Sequence, residues 1–148
     1  MWRDYIDQIE KEQSEYGEML NEGVQDEEGL FEIVKSRLGV SLPVPYIEFL
    51  KKTNGIEYNG YILYGVDEEY LSNRPSAPIY GIIDRNNLYW ENAWNKDYLF
   101  LGESNIGWYV YILGSEEYAE LDKPSGQLLR KFESGEQMIE AALREALV

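Results

Sequence analysis

Residues 98–132, YLFLGESNIGWYVYILGSEEYAELDKPSGQLLRKF, decide the fold class. Tyr98 to Gly102, Gly107 to Ile112, Tyr118 to Asp122 and Gln127 to Phe132 are runs of strand length rich in aromatic and aliphatic residues. Turn residues separate them at hairpin lengths, Lys123-Pro124-Ser125-Gly126 among them. Four strands joined in this way predict an antiparallel meander. Just beyond it, Ser134 and Gln137 stand three residues apart as a capping box, opening a final helix that carries Met138, Ile139, Ala142, Leu143 and Leu147.

Toward the N-terminus, Asn59-Gly60 lies between Ile56 to Tyr58 and Tyr61 to Tyr64, a hairpin signal because both turn positions need positive φ. Before it, Leu42 and Pro43 open a short helix with Tyr46, Phe49 and Leu50 on one face, and Asn54-Gly55 stops it. A preceding helix has Gln25 or Asp26 as cap, Glu27 and Glu28 in its first turn, Leu30, Ile33, Val34 and Leu38 as its apolar face, and Gly39 at its end. At the start of the chain Trp2, Tyr5, Ile6, Ile9, Tyr16, Met19 and Leu20 predict an amphipathic helix over about residues 2–20. Val66 to Pro78 reads as a surface loop with one helical turn, and Ile82 to Trp94 as another short helix. Helices first, strands bunched later and a closing helix predict one α+β domain over 1–148, its sheet antiparallel-dominated and flanked by helices.

The composition narrows the chemistry. Against 28 Asp plus Glu stand 13 Lys plus Arg, a formal charge of −15, and the chain has no His and no Cys. Thiolate nucleophiles, Ser-His-Asp triads, disulfides and Cys/His zinc sites are thereby excluded. Only carboxylate, Lys or Tyr chemistry or an all-oxygen metal site is left, and no EF-hand loop or phosphate-binding glycine motif is present. The 28 acids guarantee chance pairs, so a carboxylate hydrolase needs a cleft that the sequence does not announce. Neither cofactor nor metal is expected. The charge repels phosphate backbones and anionic membranes and favours basic partners. Acids among the first residues, Asp4 and Asp7, interrupt any leader-like apolar run, so the expected location is the cytoplasm.

The order Leu38-Gly39-Val40-Ser41-Leu42-Pro43, Tyr46, Phe49-Leu50, Asn54-Gly55, Leu63-Tyr64-Gly65, Trp90, Leu101-Gly102-Glu103-Ser104, Trp108-Tyr109-Val110, Leu121-Asp122, Ser125-Gly126 and Phe132 resembles the SUKH superfamily over about residues 28 to 140. Residues 1–22 lie outside the motif, and Lys35 stands where many relatives carry a glutamate. The resemblance implies a binding module rather than a catalyst. Bacterial members are largely immunity proteins that neutralise a polymorphic toxin, often a nuclease; fungal relatives are regulators linked to cell-wall synthesis. The expected function is therefore an immunity protein that holds a cognate toxin by a stoichiometric interface. The alternative is a regulator or scaffold binding an endogenous partner such as a cell-envelope synthesis factor.

Thirteen tyrosines against four phenylalanines exceed what burial selects, and tyrosine anchors protein interfaces. Asp67, Glu68, Glu69 and Tyr70 follow the Leu-Tyr-Gly strand on a loop, where binding residues concentrate. With Glu57, Tyr61, Glu91 and Glu103 they are the candidate toxin-binding residues, directed at a toxin with a basic active-site surface. The chain itself is expected to be a monomer or weak dimer, its first helix either docking on its own domain or pairing with a second copy.

Overall fold

The Asn59-Gly60 turn has both residues at positive φ, 51° and 84°, as a two-residue hairpin requires. It joins β1 (Ile56–Tyr58) to β2 (Tyr61–Leu63), with Glu57 opposite Ile62. In the computed structural model, which describes residues 1–148, this hairpin is continuous with the later meander. β3 (Tyr98–Glu103), β4 (Gly107–Ile112), β5 (Glu117–Asp122) and β6 (Leu128–Phe132) complete a six-stranded sheet, antiparallel throughout, in sequence order. With five helices around it the fold is α+β.

Local signals account for the helix ends. Asp26 accepts a hydrogen bond from the Gly29 amide at 2.9 Å to open α2 (Glu27–Leu38), and Gly39 at φ 74° closes it. Pro43 precedes α3 (Val44–Lys52), and Ser134 accepts from the Gln137 amide at 3.1 Å to start α5 (Gly135–Ala146). α1 (Trp2–Ser14) is shorter than the spacing predicts. Gly17, at φ 75°, ends it by a Schellman turn in which the Glu18 amide reaches back to the Gln13 carbonyl at 3.0 Å. Tyr16 and Met19 therefore leave the apolar stripe and are 81% and 67% exposed. The helix expected over 82–94 likewise divides into α4 (Ile82–Tyr89) and a 3-10 turn at Ala93–Asp97, because the Asn95 side-chain amide donates to the Tyr89 carbonyl at 2.8 Å.

One cluster of 29 buried residues forms the core. α5 lays Met138, Ile139, Ala142 and Leu143 into it and packs on β2, β5 and β6. α1 and α3 pack on α5, and the Trp2 ring meets Phe49 edge-on at 5.9 Å. The first helix thus docks on its own domain. Glu120, only 5% exposed, accepts from Arg130 Nε at 2.7 Å, and the same guanidinium reaches Glu145 at 2.7 Å, tying β5, β6 and α5 together.

β2 is three residues long and β3 six, so most of β3 has no strand on that side. Side chains take its place. Buried Asn86 of α4 accepts from the Phe100 amide at 2.7 Å and donates to the Phe100 carbonyl at 2.9 Å, while Trp90 Nε1 donates to the Tyr98 carbonyl at 2.8 Å. The Leu101 carbonyl accepts from the Tyr64 amide at 2.8 Å and from the Tyr46 hydroxyl of α3 at 2.8 Å. Burial pushes the Tyr46 phenol well above its ordinary pKa, so it remains a donor.

α4 is in turn held by a remote cap. The carboxylate of Asp67 accepts from the amides of Ile83 and Asp84, both at 2.9 Å, and is 6% exposed. A Cβ on Gly81 would come within 2.1 Å of that carboxylate, so only glycine allows the approach. Asp67, read from sequence as a partner-facing acid, is spent inside the protein.

Replacing Asn86 with Ala orphans the buried Phe100 amide and carbonyl, so a urea titration should show stability reduced by about 3 kcal/mol, at roughly 1–3 kcal/mol per unpaired group. A loss below about 1 kcal/mol would show that the β3 edge is satisfied otherwise. By the same measurement Asp67→Ala should cost about 1–2 kcal/mol as a lost cap, and Glu68→Ala, one residue away, less than about 0.5 kcal/mol.

Candidate protein-binding surface

After α1 the chain crosses the end of α3 in an extended segment, residues 17–26. The Val24 amide donates to the Leu50 carbonyl at 2.8 Å, the Asn54 amide to the Glu22 carbonyl at 3.2 Å, and Thr53 Oγ1 to the Asn21 carbonyl at 2.9 Å. Gly23 permits this contact, since a Cβ there would sit 1.8 Å from the Lys51 carbonyl oxygen. Opposite runs the loop 70–79. The two segments meet where the Ala77 amide donates to Asn21 Oδ1 at 2.8 Å.

On either side of that bridge lies an open concavity, one of about 780 Å³ and one of about 350 Å³, both bordered by Asn21 and Ser76. Together they form a trough. Under the larger part lie Val24, Leu30, Ile33, Val66, Leu71 and Ile79, with Glu22, Asp26 and Arg74 also at its border. The smaller part is bordered by Met19, Leu20 and Ile56, and by Glu18 and Glu57.

Two of the sequence candidates line this trough. Tyr70 is half-buried along its larger part, with the Arg37 guanidinium 5.4 Å from the ring centre, and Glu57 is exposed beside its smaller part. Glu68 and Glu69 precede Tyr70 on an exposed 3-10 turn. Asp67 lies beneath them as the cap of α4. Glu91 stands exposed beyond α4 and borders neither concavity.

Glu103 belongs to a separate cluster. Glu57, Ile62, Glu103, Trp108 and Leu121 form one cross-strand row, and alternation puts Tyr58 and Tyr61 on the opposite face. The Glu103 side chain is 13% exposed and accepts from the hydroxyls of Tyr64 and Tyr89, the latter at 3.0 Å, and from Lys123 Nζ at 2.9 Å. Burial alone would raise its pKa, but the hydrogen bonds from Lys123, Tyr64 and Tyr89 outweigh it and hold the carboxyl below its ordinary value. Tyr64 is driven strongly upward, first by burial and then by Tyr89 and Glu103. Nearby, the Tyr80 hydroxyl donates to Glu57 at 3.2 Å under the Arg85 guanidinium, which is 5.0 Å from the Tyr80 ring centre. On the other face Tyr58 donates to Glu12 of α1, and that hydrogen bond pushes the phenol up to about 12.

Sequence reasoning missed Glu22, Leu71 and Ser76 as neighbours, because the trough walls lie some fifty residues apart in the chain. It also missed Lys123 as the counter-ion of Glu103. Nowhere do three or more carboxylates converge as metal ligands would. No helix is long and apolar enough to cross a membrane.

Residues 1–28 hold ten acids and two bases, a net −8 out of −15. Eight different acids take part in ion pairs, so 28 less eight leaves 20 without a cationic partner.

Comparison with curated proteins finds no match. The SMI1 / KNR4 family (SUKH-1) matches residues 26–139, which is 114 of the 148 residues. That segment runs from the cap of α2 into α5 and includes the whole sheet, α4 and the 70–79 wall of the trough. α1 and the 17–25 wall precede it. By the extent of that match, the chain belongs to the SMI1/KNR4 (SUKH-1) family.

Proposed function

We propose that this chain is an immunity protein of the cytoplasm, which binds a cognate toxin and blocks its active site or substrate channel without chemistry of its own. The observation that carries the reading, beside family membership, is the surplus of 20 carboxylates without a cationic partner on a protein of charge −15. An enzyme that cleaves nucleic acid must attract phosphates and so presents a cationic surface. A protein whose field has the opposite sign is drawn to that surface and competes for it. Charge of this kind acts mainly on the rate of encounter, whereas burial of a few aromatic and aliphatic anchors sets the lifetime of the complex. Acidity also keeps the binder off the toxin's substrate, since it repels the nucleic acid itself.

The second reading is a regulator or scaffold for an endogenous protein, such as a cell-envelope synthesis factor. It shares the binding mode and differs in the partner.

Cells expressing a toxin encoded beside this gene should survive when the chain is co-expressed, and the two proteins should co-purify in a fixed ratio. A harmless neighbour, or death despite co-expression, refutes the immunity reading and leaves the regulator. In stopped-flow mixing with the toxin, raising salt from about 0.05 to about 0.5 M should slow association by about tenfold or more and change dissociation little. An association rate indifferent to salt removes electrostatic steering from the account.

A further inference from the structure

The trough between residues 17–26 and 70–79 combines three features. Its floor is apolar and only partly covered: Leu30 and Val66 are buried, whereas Val24, Ile33, Leu71 and Ile79 are each partly open to water. Its border is acidic, with Glu18, Glu22, Asp26 and Glu57 against the single base Arg74. Asp26 is engaged with the Gly29 amide and Glu57 with Tyr80, but the carboxylates of Glu18 and Glu22 have neither hydrogen bond nor ion pair. Thirdly, Gln13 borders the smaller concavity and holds its Oε1 buried without a donor. A buried acceptor left open is destabilising and is relieved by an N–H brought in from outside.

These features together select an occupant. The apolar floor excludes a purely ionic ligand, and the acidic border excludes an anionic one. The larger concavity, about 780 Å³, falls in the range of sites that enclose several side chains at once. Its continuation past the Asn21 bridge suits a chain rather than a compact molecule.

We propose that the trough seats an extended cationic segment of the partner protein. Aliphatic side chains of that segment rest on the floor, and its Lys or Arg side chains meet Glu18, Glu22 and Glu57. This rests on the reading of the chain as a binder of basic proteins and adds where the contact is made. One wall, 70–79, belongs to the segment matched by the family, and the other, 17–25, lies before it. The pairing places the residues that discriminate between partners on the N-terminal wall.

The test uses the full-length chain, labelled with ¹⁵N, and a soluble extended peptide repeating Lys-Val-Gly. Chemical-shift changes should concentrate in 17–26 and 70–79, and a Glu-Val-Gly peptide should cause none. Glu18→Lys with Glu22→Lys should weaken the Lys peptide about tenfold or more. Glu133→Lys with Glu136→Lys, exposed acids flanking the start of α5 that change the net charge equally, should weaken it far less. Ser76→Trp, at an exposed position shared by both concavities, should plug the trough and abolish the shifts while thermal unfolding stays unchanged. Shift changes spread over the whole acidic surface, or equal losses from the two charge reversals, would overturn the proposal. Ser76→Trp that still protects cells fully against the toxin would overturn the trough and spare the immunity reading. Failure of the unmodified chain to protect, with the peptide seated as expected, would do the reverse.

Discussion

On the side away from β4, most of β3 lies beside no strand, because β2 is half as long, yet its backbone is buried and must be hydrogen-bonded. The fold depends on how that need is met. Asn86 doubles as a strand partner for Phe100, Trp90 covers the Tyr98 carbonyl and Tyr46 the Leu101 carbonyl. These bonds dock α3 and α4 on the sheet at fixed heights. With α4 so placed, its first amides face Asp67, whose carboxylate fastens the start of the long β2–α4 connection. From that anchor the loop 70–79 runs out to form one wall of the trough. An internal demand of the sheet thus shapes the surface opposite the N-terminal segment.

Elements coded by neighbouring residues were legible. Asn59-Gly60, the Ser134 and Gln137 box, the Asp26 cap and Gly39 each act over a few residues and appear where the sequence places them. Errors arose where a local pattern met a stronger local signal or a distant partner. The stripe from Trp2 to Leu20 runs through Gly17, and the left-handed turn there prevails over the spacing of Tyr16 and Met19. Asp67 has the sequence of a loop acid, and nothing near it in the chain shows that Gly81 will bring a helix start against it. Glu103 is an acid on a strand until Lys123 reaches it from the turn after β5. The trough is the extreme case, since its walls share no period and no motif.

Charge and packing divide the work on this surface. In the proposed complex the apolar floor of the trough would give the contact its lifetime, and the carboxylates without counter-ions its range and sign. More than half of the net charge lies in residues 1–28, before or at the edge of the segment that the family shares. On the proposed reading, the scaffold fastened at the β3 edge and the acidic strip outside it are separate parts, so partner choice could change without disturbing the core.

Hydrogen exchange by mass spectrometry on the chain alone and bound to the toxin that the immunity reading proposes tests the central claim most directly, because it reads every backbone segment in one experiment. The Phe100 region should be strongly protected in both states, with new protection in the complex confined to residues 17–26 and 70–79. New protection centred instead on β6 and the outer face of α5, with both trough walls exchanging as in the free protein, would contradict the account.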